Sequence, residues 1–376
     1  MYTLSRRHVL GAISLVACST VLAACGGSNL NDASKDAAKQ ASTSDLAALV
    51  KAAKSEGTLT IYTAIQTEQM QPWVADFTKK YGVKVQILRQ SSATLATTFQ
   101  TQQQAGRNKA DLLESSNMAQ LETFQKKGWL AKYTPQAANL YPADRVVAGS
   151  LYPLYQSNGA IAWNTKVTPT ATQKKLVANP YEGLLDPALR GKIVLIDPAN
   201  GGSGMAYYAN LVYNLGDQYG WDYLTKLAAQ KPAISGSIAS ISQQVSAGTY
   251  YATNFGDEAI FGPLAEKGAP LQFSSLPVMN ATQFLQAIPK DAPHPAAARL
   301  FSEWSASLAG QQSMTASTGG ESSAKGWQEN VDYAQKFSWY KPPTTAWLDW
   351  RTDSRLKGDG LKQFVAKWNT TFHHSS

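Results

Sequence analysis

The chain holds 376 residues, 44% of them hydrophobic and 10% aromatic, with a formal net charge of +8. That content is ample for globular cores. The basic residues are spread along the chain rather than blocked into runs, so they read as solvated surface and form no arm for nucleic acid.

The N-terminus is the first readable element. Arg6-Arg7 precede an apolar run from Val9 to Val21 that ends in Leu22-Ala23-Ala24-Cys25. A basic start, an apolar core and small residues before a cysteine make a secretory signal, and the run is too short for a permanent membrane span. Leu-Ala-Ala-Cys also resembles the lipobox of bacterial lipoproteins, which implies cleavage after residue 24 and a lipid on Cys25. Loss of residues 1–24 removes two arginines and no acid, so +8 becomes +6. Cys18 leaves with the signal and Cys25 is taken by lipid, so no thiol remains for a disulfide, a metal or a nucleophile. Residues 26–43 are small and polar and read as a flexible tether. Roughly 330 residues follow, more than one compact core usually holds, which favours two domains.

Beyond the tether the pattern alternates. A helix is predicted over 46–55, a strand over 59–62, and a helix carrying Met70, Trp73, Val74, Phe77 and Tyr81 at helical spacing until Gly82 stops it. A strand follows over 83–88, a helix over 93–104, a strand over 110–113 and a helix over 118–127. After Ala160-Ile161-Ala162-Trp163-Asn164 the alternation resumes: a strand over 193–196, a glycine-rich turn into a helix from Met205, helices over 221–230, 241–247 and 259–267, and a strand over 250–253. Another strand over 284–288 and an amphipathic helix over 295–309 complete it. Strand and helix in this rhythm imply parallel β-α-β units with loops for a ligand at the carboxyl ends of the strands. Trp327, Tyr333, Phe337, Trp339, Tyr340, Trp347, Trp350 and Trp368 crowd the C-terminal part and read as packing against a domain.

These segments together resemble the periplasmic solute-binding proteins of ABC importers, in the branch of the ferric-ion, thiamine and phosphonate binders. The opening EGTLTIYTA resembles that family's first strand and ligand loop. Ala110-Asp111 with Ser115-Ser116-Asn117 resembles its third-strand element, and Gly159 to Asn164 its crossover strand. Leu184-Leu185-Asp186-Pro187, Gly191-Lys192-Ile193, Asp197-Pro198 and Ser203-Gly204 are similar to the start of its second domain. Lys267-Gly268-Ala269-Pro270 and Ala292-Pro293-His294-Pro295 are similar to the return segment and final helix. The resemblance implies an α/β, two-lobed periplasmic-binding-protein fold of type II, with hinge strands and a ligand cleft. Lobe 1 would take residues 44–160 plus 284–376, and lobe 2 residues 161–283. It also implies a monomer at the membrane surface, held by its lipid, that passes a small-molecule solute to the transmembrane subunits of an ABC permease.

Candidate ligand residues sit where strands give way to helices: Thr63 and Ala64, Ser91 and Ser92, Ser116, Ser203 and Gly204, and Ser237. Free amides and hydroxyls at helix starts bind anions, and glycine lets the backbone approach closely. Arg89 is a candidate charge partner, Tyr155 and Asn254 are candidate side-chain contacts, and Asp257 either meets an ammonium group or caps a helix. The expected solute is a small organic anion, a phosphonate or carboxylate. A ferric-ion binder is the alternative, since Tyr207-Tyr208 and Tyr250-Tyr251 offer adjacent phenols for a hard cation. Tyr250-Tyr251 are expected inside a strand, however, and Tyr207-Tyr208 inside a helix.

An exported hydrolase is the remaining reading. Once the signal is gone the only histidines are His294, His373 and His374, and there is no G-x-S-x-G or H-E-x-x-H. Gly201-Gly202-Ser203-Gly204 lacks the Lys-Ser/Thr of a phosphate loop. No cofactor, metal or catalytic residue is called for.

Overall fold

The computed structural model describes residues 46–142, 149–200, 203–275, 281–327, 333–340 and 353–375. Cys25, the signal and the tether lie outside them, as do Trp347 and Trp350. In the first half, helix α1 (Leu46–Glu56) ends at Gly57, whose φ of +77° only glycine adopts without strain. Strand β1 (Thr58–Thr63), helix α2 (Thr67–Tyr81), β2 (Lys84–Arg89), α3 (Ser92–Gln104), β3 (Leu112–Ser115) and α4 (Met118–Lys126) follow. Met70, Trp73, Val74, Phe77 and Tyr81 are all buried on α2, and Gly82 closes it with an N–H donated to the Thr78 carbonyl.

Strand β4 (Tyr152–Asn164) is thirteen residues long and joins both halves. The second half holds α5 (Thr170–Ala178), β5 (Ile193–Ile196), α6 (Ser203–Tyr213), α7 (Trp221–Ala229), β6 (Ala233–Ser235), α8 (Ile238–Ser246), β7 (Ala252–Asp257), α9 (Glu258–Glu266) and β8 (Leu271–Ser275). Then come β9 (Ala281–Ala287), α10 (Pro295–Ala306), α11 (Leu308–Thr318) and a last helix, α12 (Gly360–Phe372). The helix predicted over 295–309 breaks at Ser307, which turns extended and caps the next helix by accepting from the Gly310 N–H. The strand predicted over 250–253 begins at Ala252, so Tyr250 and Tyr251 precede it.

The strands order as β2-β1-β3-β9-β4-β7-β5-β6, with β8 also on β4. Strands β2, β1 and β3 are parallel, as are β6, β5 and β7, so the second half repeats the order of the first. Residues 152–158 of β4 run antiparallel to β9, and 159–164 antiparallel to β7 and β8. Leaving and returning strands therefore lie side by side. At the changeover stands Gly159, where a Cβ would meet the Phe255 ring at 2.2 Å.

Among the described residues two large cores flank that crossing, with a third around Phe99, Leu113, Phe124 and Leu285 on the first half. One gathers α1, α2, β1 and α10 around Trp73, Phe77, Phe301 and Trp304. The other gathers β4, β5, β7 and α6 around Trp163, Tyr207, Phe255 and Phe273. Tyr333, Leu356, Phe364 and Trp368 belong to this second core, not to the first-lobe side where residues 284–376 were expected. The reason is local: Trp368 stacks on Phe372 and packs beside Tyr208, while Phe364 packs against Tyr213 and Trp221.

Candidate ligand cleft

The carboxyl ends of β1, β2 and β3 face those of β6 and β7 across one cleft. It contains about 480 Å³ of open space and is lined from both halves. Helices α2, α3, α4, α6, α8 and α9 all start at its rim, so their free amides and positive dipole ends point at one volume.

On the first half, Ser91 caps α3 by accepting from the Thr94 N–H, and the hydroxyls of Ser92 and Ser116 are 3.0 Å apart. Asn117 caps α4 by accepting from the Gln120 N–H. Arg89 closes β2 and lines the cleft, and its guanidinium makes no hydrogen bond or ion pair among the described residues. Burial lowers its affinity for its proton, and Glu68 opposes that shift. On the second half, Ser203 opens α6 and Ser237 caps α8 by accepting from the Ser240 N–H. Asp257 caps α9: its Oδ1 accepts from the Ala259 N–H at 2.9 Å and from the Ser157 hydroxyl. Burial pushes the Asp257 carboxyl up to about 6, held back by those two donors.

The floor is aromatic. Tyr155 on β4 stacks on Phe284 of β9 with ring centroids 4.8 Å apart and planes 5° from parallel. Burial, then the nearby Asp257 and Glu114, push the Tyr155 hydroxyl well above its ordinary range, so it stays a neutral phenol.

Of the candidate residues, Ala64, Arg89, Ser91, Ser92, Ser116, Tyr155, Ser203, Ser237 and Asp257 line this space. Thr63, Gly204 and Asn254 stand behind it. The Thr63 hydroxyl accepts from the Ile65 N–H and shapes the turn. Gly204 lets α6 approach the preceding loop, since a Cβ there would lie 2.4 Å from the Asp197 carbonyl oxygen. Asn254 is wholly buried, accepting from the Ile196 N–H and donating to the Tyr208 hydroxyl. Sequence reasoning missed Gln66, Gln69, Ile238, Ile260 and Phe284, which also line the cleft. Gln69 donates to the carbonyls of Ala259 and Thr318 at 2.9 and 2.8 Å, joining α2 to α9. A glutamine pair at the start of the helix after β1 was the available signal for it.

The four tyrosines of the ferric alternative do not line the cleft. Tyr207 and Tyr208 are buried in the second core, and the Tyr208 hydroxyl donates to the Ile196 carbonyl. Tyr250 and Tyr251 lie at the amino end of β7, away from Asp257. Among the described residues no three His, Cys, Asp or Glu side chains cluster as metal ligands. No helix among them is long and apolar enough to cross a membrane.

A family model described as "Bacterial extracellular solute-binding protein" matches residues 63–312, two thirds of the chain. No curated protein matches. Among solved structures the chain is similar to the periplasmic binding protein AfuA from Actinobacillus pleuropneumoniae, solved with exogenous fructose-6-phosphate (18% identity, 85% of this chain and 99% of that one, TM-score 0.68). It is similar to the substrate-binding protein of an ABC transporter from Agrobacterium tumefaciens (17%, 84% and 94%, TM-score 0.67). It is also similar to iron-bound HitA from Pseudomonas aeruginosa (20%, 73% and 88%, TM-score 0.59). At these identities the likeness speaks for the fold, and the two-lobed form is theirs. The match over residues 63–312, with the cleft between paired α/β halves, makes this chain a member of the bacterial extracellular solute-binding protein family.

Proposed function

We propose that the protein is the extracytoplasmic receptor of an ABC importer, tethered through a lipid on Cys25, which captures a small organic anion by closure of its lobes and delivers it to the permease. The observation that carries this reading is the convergence of α3, α4, α6, α8 and α9 on one cleft beside Arg89, which has no partner among the described residues. Helix starts supply amides and positive partial charge, the serines supply hydroxyls, and Arg89 supplies a full charge with forked donors. AfuA, of like fold, was solved with a sugar phosphate, which suits this chemistry. Iron fits less well, because among the described residues a single tyrosine, Tyr155, lines the cleft, and a hard cation calls for several anionic oxygens.

A thermal-shift screen tests the reading, since a ligand that binds only the native state stabilises it by about 2.7 kcal/mol at a hundred times its Kd. Organic phosphates, phosphonates or carboxylates should raise Tm, and Arg89→Gln should remove most of the rise. Stabilisation by ferric salts alone would sink it.

A further inference from the structure

We infer that the solute is a zwitterion, its anionic group facing Arg89 and its protonated amine facing Asp257. This rests on the anion reading above and adds a second pole to it. Two charges of opposite sign line the cleft, and each has capacity left over.

Arg89 has no hydrogen-bonding partner among the described residues, and its Nε is buried. Asp257 is 6% exposed, and both bonds it accepts fall on Oδ1. Its second oxygen, Oδ2, accepts none among the described residues. Burial raises its carboxyl against the Ser157 hydroxyl and the Ala259 amide, and no cationic side chain among the described residues acts on it. At neutral pH Asp257 is therefore a buried carboxylate without a counter-ion among the described residues, at the edge of a space built to attract anions. A solute with negative charge alone would satisfy Arg89 and the helix starts, yet it would bring a like charge up to Asp257. An ammonium group removes that repulsion and gives Oδ2 a donor. Charges shut off from water interact more strongly than exposed ones, so the discrimination grows as the lobes close.

The placement adds to the argument. Arg89 ends β2 and Asp257 ends β7, on opposite halves of the sheet. A dipolar solute lying over Tyr155 and Phe284 would engage one half with each pole. Its two charge pairs would then act across the gap that Gln69 already bridges.

Calorimetry with matched probes tests this. Amine-ended alkyl phosphonates and carboxylates of two to four carbons are compared with their hydroxyl-ended and methyl-ended counterparts at pH 7.5. The amine-ended member of the best-fitting length should bind at least about tenfold tighter than either counterpart, as expected for a desolvated charge pair. Asp257→Asn should erase that advantage. Asparagine also caps helices, and Asp257→Ser offers a second variant that keeps the cap. Arg89→Gln should weaken all three ends alike. Hydroxyl-ended or methyl-ended probes binding as tightly as the amine, or an advantage that survives in both Asp257 variants, overturns the zwitterion. Affinities indifferent to Arg89→Gln overturn the anion reading instead.

Discussion

Asn254 illustrates how a polar side chain beside a cleft can serve the wall rather than the solute. Its amide ties β5 to β7 through Ile196 and ties both to α6 through Tyr208, with no exposed surface. Asn254→Ala leaves the buried Ile196 N–H without that partner, at a cost of about 1–3 kcal/mol, while the Tyr208 hydroxyl keeps its bond to the Ile196 carbonyl. A urea midpoint well below that of the wild type is expected, with affinity at the urea-free limit changed far less. An unchanged midpoint alongside lost binding would put Asn254 back among the ligand contacts. Its role was hidden in the sequence because a residue in the middle of a strand and one at its end look alike until pairing fixes the end. The strand was expected to stop at Thr253 and runs to Asp257.

Elements were easier to read than their partners. Periodicity located α2, β2, α3 and β5 almost to the residue, since each carries a clean apolar pattern with a glycine or serine at its border. The three-residue β6 and the strand β8 escaped, being too short or too mixed to show alternation. No repeat was visible either, although β2-β1-β3 and β6-β5-β7 share an order; packing order is a property of the backbone that unrelated side chains can satisfy. The C-terminal aromatics announced burial without saying against what. In the fold α12 lies on α6 and α7, with Lys367 over the Trp221 ring at 4.3 Å and Arg355 over Tyr213 at 4.0 Å. Trp368 is completely buried there. Trp368→Ala should cost about 3–5 kcal/mol, read as a large fall in Tm by calorimetry. A variant melting within two or three degrees of the wild type (about 1 kcal/mol for a chain of this size) would show that α12 is an appendage.

At the scale of the molecule, buried acids set how stability responds to pH. Glu114 is fully buried at the end of β3, accepting from Gln286, and burial pushes its carboxyl from an ordinary 4.5 up to about 7. Asp257 is pushed from 3.8 to about 6. The folded form thus keeps protons that the unfolded chain releases, so stability from these groups is complete below their ordinary values. It is lost as pH climbs through about 6 and 7. Glu114 accounts for at most about 3 kcal/mol of that loss. Urea titrations at pH 5 and pH 8 should show the wild type weaker at the higher pH, and Glu114→Gln should flatten the difference. A wild type that gains stability on going to pH 8 would contradict the burial of these acids.

The shared strand also constrains how the chain is made. Strand β3 stays bare along one edge until β9 arrives, and β9 ends at Ala287, more than 170 residues later in the chain. A polypeptide emerging amino end first during its synthesis would expose that edge while the whole second half is still to come. An assistant that shields nascent strand edges, or a transit fast enough to outrun self-association, is therefore built into the requirements of this topology.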